Sequence, residues 1–447
     1  MPAEPKRSSE SALKGLRLIF RTLAYRNYRL FFGGQIISLT GTWMQQVALI
    51  WLVYRMTNSP FLLGLVGFSG QMPSFLLSPF AGVIADRFNK HRILVITQSL
   101  SMLQASVLAA LTLTGSLAVW HILALSIFLG VINAFDVPTR QSFLLDMIEN
   151  RDDISNAIAL NSSMFNAARL VGPSIAGIII ATLGEGLCFL LNAVSYLAVI
   201  GALLAMKITR RPPVKKPEGV LSGFAEGFRY VFRFKPIRSI LLLLALISLM
   251  GMPYSTLMPI FARDILHGGA HTLGFLMGAT GVGALTGALI LASRKNAVGL
   301  TRWIPAAAGL FGAGLVAFSL SATTWLSVGL LFIVGLGLMV QMASSNTILQ
   351  TIAEDDKRGR VMSFYAVSFM GMAPFGSLLA GSLAGTIGAP GTLLISGCAC
   401  LAGTIVFTAK LPAIRKQIRP IYVKLGLVPE FKGGAIRMTE VAIPPEQ

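Results

Sequence analysis

Charge is scarce in this sequence. Only 12% of its 447 residues are charged, against about 25% in an ordinary soluble protein. Acidic residues are the rarer sign, 18 Asp and Glu beside 37 Lys and Arg. No soluble core can absorb the 54% that are hydrophobic, so a solvated globule is excluded and a bilayer is the fitting solvent. Cysteine is nearly absent. Cys188, Cys398 and Cys400 all lie in apolar runs without metal-ligating neighbours, and they read as small apolar fillers. The four histidines, His91, His121, His267 and His271, are scattered. His267 and His271 are four apart beside Asp264, a spacing that could hold a metal, although a solvated loop is the simpler reading, so no metal site is expected. There is no GxxxxGK[ST] loop to cradle ATP phosphates. GxSxG, HExxH and a hydrolytic carboxylate pair are missing too, so no enzyme is expected.

What the sequence has in quantity is long apolar runs. A spanning helix needs about 20 apolar residues, because each rises about 1.5 Å through about 30 Å of hydrocarbon. Twelve runs qualify, near 30–54, 61–85, 92–114, 117–141, 156–182, 186–207, 237–260, 272–293, 302–321, 324–350, 360–386 and 390–411. The connections on one side are short, as at Met56–Pro60 and Gly184–Glu185, and they make antiparallel hairpins. The formal charge of +19 is unevenly placed. Only Arg55 and Arg263 fall in the loops of that side, while nearly all other basic residues flank the opposite side or the tails. This asymmetry predicts cytoplasmic termini and argues against a nucleic-acid reader. The first residues offer no short apolar core with a cleavage site, so no cleavable leader is expected.

The chain divides at a basic, proline-containing stretch, 208–236, with a surface helix expected around Leu221–Phe234. The organisation read here is a basic amphipathic segment at 1–29, suited to anionic headgroups, a six-span half at 30–207, the linker, a second half at 237–411 and a basic, loosely structured tail at 412–447. The halves repeat. A shift of 204 positions carries Gly172, Ala176, Gly177, Thr182 and Gly184 onto Gly376, Ala380, Gly381, Thr386 and Gly388, and Leu63–Gly64 matches Leu273–Gly274 at a slightly different offset. Six spans per half make the repeat parallel, about an axis normal to the membrane.

The loop between spans two and three reads Gly82-Val-Ile-Ala-Asp86-Arg87-Phe-Asn89-Lys90-His91-Arg92. Gly82 permits close helix approach, and Asp86 can meet the positive end of a helix in the other half. Arg87, Lys90 and Arg92 can meet a carboxylate such as Asp146. Asn89 stands where a second glycine would allow a left-handed turn, which Asn also tolerates. This stretch resembles the signature loop of the major facilitator superfamily, which implies a latch on the cytoplasmic side. Span five, with Ala159, Ala168, Gly172, Pro173, Ala176 and Gly177, resembles the antiporter motif of drug–proton exporters in that superfamily; ordinary small-residue packing is the alternative. Gly41-Thr-Trp43-Met-Gln45-Gln46, then Asn133-Ala-Phe-Asp136-Val-Pro138-Thr-Arg140, then Asn166-Ala-Ala-Arg169 look like the branch of enterobactin exporters and macrolide-efflux-like proteins. The resemblance implies an all-α fold of two pseudo-symmetric six-helix bundles, the major facilitator fold. It also implies a secondary exporter of drug- or siderophore-like molecules in a bacterial-type inner membrane, driven by an ion gradient, of protons, with no other cofactor.

Polar residues at bilayer depth are expensive and mark function or pairing. Asp136 and Arg140 are one turn apart and can pair. Arg169 falls on Ala373 in the repeat, so the shared architecture does not require its charge. The three are candidates for proton coupling or for a charge network, with a structural ion pair as the alternative. Gln45, Gln46, Asn133, Tyr254, Gln341 and Asn346 lie on spans one, four, seven and ten, which by resemblance line a substrate cavity; each could instead be an interhelical hydrogen bond. Pro253, Pro259 and Pro374 can bend spans seven and eleven. The expected partners are a small-molecule substrate and lipid, with the chain itself a monomer. An importer of the same fold, a non-transporting membrane scaffold or sensor, and a lipid enzyme are the competing readings.

Overall fold

The computed structural model describes residues 21–150, 153–207, 228–294, 298–355 and 357–428, without the side chains of Pro79, Gly82, Val83, Ala85, Asp86 and Arg87. Every regular element among them is helical. We number the long helices α1 (Arg26–Thr57), α2 (Pro60–Arg87), α3 (Lys90–Leu113), α4 (Val119–Asp146), α5 (Ile154–Leu183) and α6 (Glu185–Leu204) in the first half. The second half holds α7 (Lys235–Ile265), α8 (Ala270–Ala292), α9 (Leu300–Ser319), α10 (Thr324–Ile352), α11 (358–387) and α12 (389–424). A sharp corner divides α11 from α12 at Gly388, where φ is 77° and ψ 163°. Gly184, its partner in the repeat, turns α5 into α6 at φ 83° and ψ 171°. Only a residue without Cβ takes that conformation cheaply, so the same hairpin is built twice by the same means.

Other boundaries follow local chemistry. Ser59 caps α2, its hydroxyl accepting from the Leu62 N–H, and Pro60 starts the helix where no N–H partner exists anyway. Asn89 corrects the expectation of a left-handed turn. It sits at φ −69°, ψ 107°, and its Oδ1 accepts from the Arg92 N–H to cap α3. Asn is useful here as a cap, not as a glycine substitute.

Two expected boundaries move. α1 begins at Arg26, and Tyr25 ties it down by donating to Asp153 Oδ2 at 2.7 Å. That hydrogen bond, followed by burial, raises the Tyr25 phenol above its ordinary pKa. α12 does not end at 411. It continues to Lys424, burying Ile414, Ile418 and Tyr422 in the second half's core while Arg415, Lys416 and Arg419 stay on its outer face. An apolar stripe at i, i+4, i+8 explains why this segment is helix, not loose tail. A helix is described at 228–233 in the linker; the remainder of the expected linker helix, like residues 1–20 and the tail beyond 428, lies outside the described residues.

The halves meet through two helix crossings. α2 lies against α11, and α5 against α8. A Cβ on Gly64 would stand 2.9 Å from the Gly381 Cα, and one on Gly177 would stand 2.9 Å from the Gly274 Cα. These four glycines are the repeat-related ones. Backbones touch where side chains are missing, which is how helices associate in lipid without a hydrophobic driving force. Gly172 and Gly376 serve inside each half, Gly172 against Trp43 of α1 and Gly376 against Leu249 and Pro253 of α7. Pro173 lines the cavity described next.

Candidate functional site

A cavity of about 220 Å³ lies between the halves, lined by residues from near the helix midpoints toward the side away from the termini. Trp43, Gln46 and Ile50 of α1, Leu63, Gly67 and Gln71 of α2, and Arg169 and Pro173 of α5 form one wall. Met252 to Thr256 and Met258 of α7, Leu276, Met277 and Thr280 of α8, and Ala373 and Ser377 of α11 form the other. Of the expected cavity residues, Gln46 and Tyr254 are there. Gln45 is not. It is 3% exposed and is locked inside the first half, donating to Gln104 Oε1 at 3.0 Å and accepting from Asn192 Nδ2 at 2.8 Å. Gln341 is 1% exposed within α10 and donates to Ser345 Oγ. Asn346 accepts from Gln350 on its own helix, and Asn133 is half-buried outside the cavity lining.

The three intramembrane charges separate into two sites. Asp136 is 4% exposed inside the first half. It accepts from Thr97 Oγ1 at 2.9 Å and Gln98 Nε2 at 2.7 Å, and Arg140 approaches to 3.4 Å. The i, i+4 pairing is as expected. Arg169 takes no part in it. Its guanidinium lies over the Trp43 ring, 5.6 Å from the centroid, facing the cavity.

On the side where both described ends lie, Lys90 Nζ and Asp146 meet at 3.0 Å, joining the start of α3 to the end of α4. This pair closes within one half and does not bridge to the other. Lys357–Glu354 and Arg358–Asp355 likewise stay within the second half. The side chains of Asp86 and Arg87 and the surroundings of Gly82 lie outside the described residues. The Arg92 side chain is exposed, and its N–H is spent on the Asn89 cap.

Bonds between the halves sit on the opposite side, where sequence reasoning placed none. Tyr54 donates to Asp264 across the interface, and Arg263 donates to Asn58 Oδ1 at 2.6 Å while its guanidinium lies over the Tyr54 ring. Beside them, within the first half, Arg55 forms a two-pronged pair with Glu185, at 2.9 Å on each prong. The signal was present: Arg55 and Arg263 are the two basic residues that depart from the charge bias. Their acceptors, Glu185 for Arg55 and Asn58 for Arg263, lie 130 and 205 residues away, so local pattern could not pair them.

Twelve membrane-crossing helices among the described residues, in two six-helix bundles joined by two crossings around a cavity, define a membrane transporter of the major facilitator type. The chain belongs to the transmembrane secretion effector family, whose sequence pattern matches residues 19–422. It is 29% identical to the Staphyloferrin A transporter of Staphylococcus aureus over 84% of this chain and 94% of that one. It is 26% identical to the multidrug efflux pump Tap of Mycolicibacterium fortuitum over 78% of this chain and 87% of the pump. Among solved structures it superposes on a bacterial homologue of the human lysosomal transporter Spinster, captured inward-facing and unoccupied. The TM-score is 0.63, with 15% identity over 90% of this chain and 98% of that one. Family and relatives are transporters, not enzymes.

Proposed function

We propose that this chain exports small amphipathic molecules by alternating access, in exchange for protons, from a bacterial inner membrane with both termini cytoplasmic. One observation carries the reading. The cavity is walled by both halves, and the glycine crossings and the Tyr54–Asp264 and Arg263–Asn58 bonds hold those halves together on the side away from the termini. Among the described residues, the terminal-side pairs Arg21–Asp153, Lys90–Asp146, Lys357–Glu354 and Arg358–Asp355 each stay within one half. That arrangement fits an inward-open state, and exchange to the outward-open state requires the far-side contacts to part while the terminal side closes. The bias of Lys and Arg to the terminal side supports its cytoplasmic orientation and contact with anionic lipid. The relatives named as a siderophore transporter and a multidrug pump support export of drug- or siderophore-like cargo.

Asp136 is the residue for proton coupling, because it is the buried carboxylate of the span interiors with a cationic partner able to respond to its protonation. The test uses inside-out and right-side-out vesicles containing the chain, an imposed pH gradient and the dyes rhodamine 6G and carboxyfluorescein. Export predicts gradient-driven uptake into inside-out vesicles only. Uptake confined to right-side-out vesicles would overturn the direction. Full gradient-driven transport by Asp136→Asn would remove that residue's coupling role.

A further inference from the structure

We infer that Arg169 is a recognition site for an organic anion, a molecule that presents a carboxylate on an apolar body. This deepens the transporter reading above and rests on it. Arg169 is the single charged residue among the nineteen that line the cavity. It stands midway along α5, where a charge without a partner is costly. Its one described contact is the face of Trp43, which screens the guanidinium without neutralising it. No described carboxylate pairs with it; Asp136 is committed to Arg140, Thr97 and Gln98.

The repeat isolates the point. Ala373, 204 positions further on, lines the same cavity on the other wall. The architecture therefore builds that position without charge, and Arg169 is an addition to the scaffold. A guanidinium offers a planar fork of donors that a carboxylate fits with two parallel hydrogen bonds. Gln46, Gln71 and Tyr254 add neutral polar groups around it, and Trp43, Met252, Met258 and Met277 supply an adaptable apolar surface for the body of the ligand. A cationic ligand would meet the opposite, one positive charge and no acid among the lining residues.

The experiment compares two xanthene dyes of similar size, anionic carboxyfluorescein and cationic rhodamine 6G. Their binding to the purified full chain is read by fluorescence anisotropy, with inorganic phosphate and citrate as competitors. We expect wild type to bind carboxyfluorescein at least about tenfold more tightly than rhodamine 6G. Arg169→Gln should abolish that preference, and Arg169→Lys should restore part of it. Citrate displacing the dye where phosphate does not assigns the site to carboxylates; the reverse assigns it to phosphate and overturns the carboxylate part. Absence of carboxyfluorescein binding, or equal binding by Arg169→Gln, would overturn the inference outright. Should Arg169→Gln fail to fold, the dye preference of wild type decides alone. The two readings fail separately. Vesicles that carry neither dye while the binding preference stands count against export, and export of rhodamine 6G without anion preference counts against Arg169 only.

Discussion

The two halves share a backbone plan and differ in what fills it. In the first half the interior is tied by polar side chains. Gln45 bridges Gln104 and Asn192 across three helices, and Asp136 gathers Thr97, Gln98 and Arg140. In the second half the position of Asp136 is held by Val340 and that of Arg140 by Ser344, both buried. Aromatic packing takes over there, with the Phe261 and Phe318 rings 4.6 Å apart and Tyr254 edge-on to Phe311. The described π turns, at Ile247–Gly251, Phe261–Ile265 and Val367–Gly371, all lie in the second half. Each lies beside Pro253, Pro259 or Pro374, and Ser248 in the first donates to the Phe369 carbonyl in the third. Hydrogen-bonded networks hold helices in register, whereas π turns with prolines are where helices bend. The contrast assigns charge chemistry to the first half and flexing to the second, with the glycine crossings as the part both must keep.

That contrast can be broken at several points. The largest effect should come from the shared part. Gly64→Val and Gly274→Val each drive a branched side chain into opposing backbone, at a cost of about 3 kcal/mol in the far-side-closed state, so each should slow dye transport about 100-fold. Unequal effects from this repeat-related pair would show that the crossings are not equivalent. Next, Asp136→Ala leaves Arg140 without its partner in a buried site and should lower stability by about 2–3 kcal/mol by thermal unfolding, while Val340→Ala at the matching position should cost only about 1 kcal/mol for the lost methyls. A smaller change is expected of Ser248→Ala, about 1 kcal/mol from one buried hydrogen bond, read as faster hydrogen exchange around the π turns. An exchange pattern that does not move would argue against a link between those turns. Smallest of all, Lys90→Ala removes a half-exposed pair within one half and should shift stability by less than about 0.5 kcal/mol; a loss of transport instead would mean that the pair acts between halves after all.

Much of this fold could be read from sequence because bilayer thickness sets span length and because hairpin turns need glycine. Gly184 and Gly388, Gly177 and Gly381, and Gly64 and Gly274 were visible as a repeat before their contacts were known. The candidate site was less legible. Gln45 and Gln46 are neighbours of one chemistry, but about 100° of helical rotation separates them, so one faces the half's interior and the other the cavity. The Asp136–Arg140 pair obeys a local spacing rule, whereas the place of Arg169 follows from the tertiary rotation of α5, which turns it toward Trp43 and has no signature in the sequence. The Tyr54–Asp264 bond spans 210 residues and has no local signature at all. The helix to Lys424 was hidden by its basic composition, which outweighed the apolar stripe of Ile414, Ile418 and Tyr422.

The unneutralised guanidinium of Arg169 also bears on the electrical work of transport. On the anion assignment, cargo and arginine cancel while the cavity is loaded, and the charge that travels outward is the cargo's own. A cell interior that is negative expels that charge, releasing about 2.3 kcal/mol per charge for each 100 mV. Exchange for an entering proton would move two elementary charges in the favoured sense, about 4.6 kcal/mol per 100 mV. Voltage, more than acidity, would then be the stronger drive, and collapsing the potential with valinomycin and potassium should slow export more than collapsing the pH gradient with nigericin.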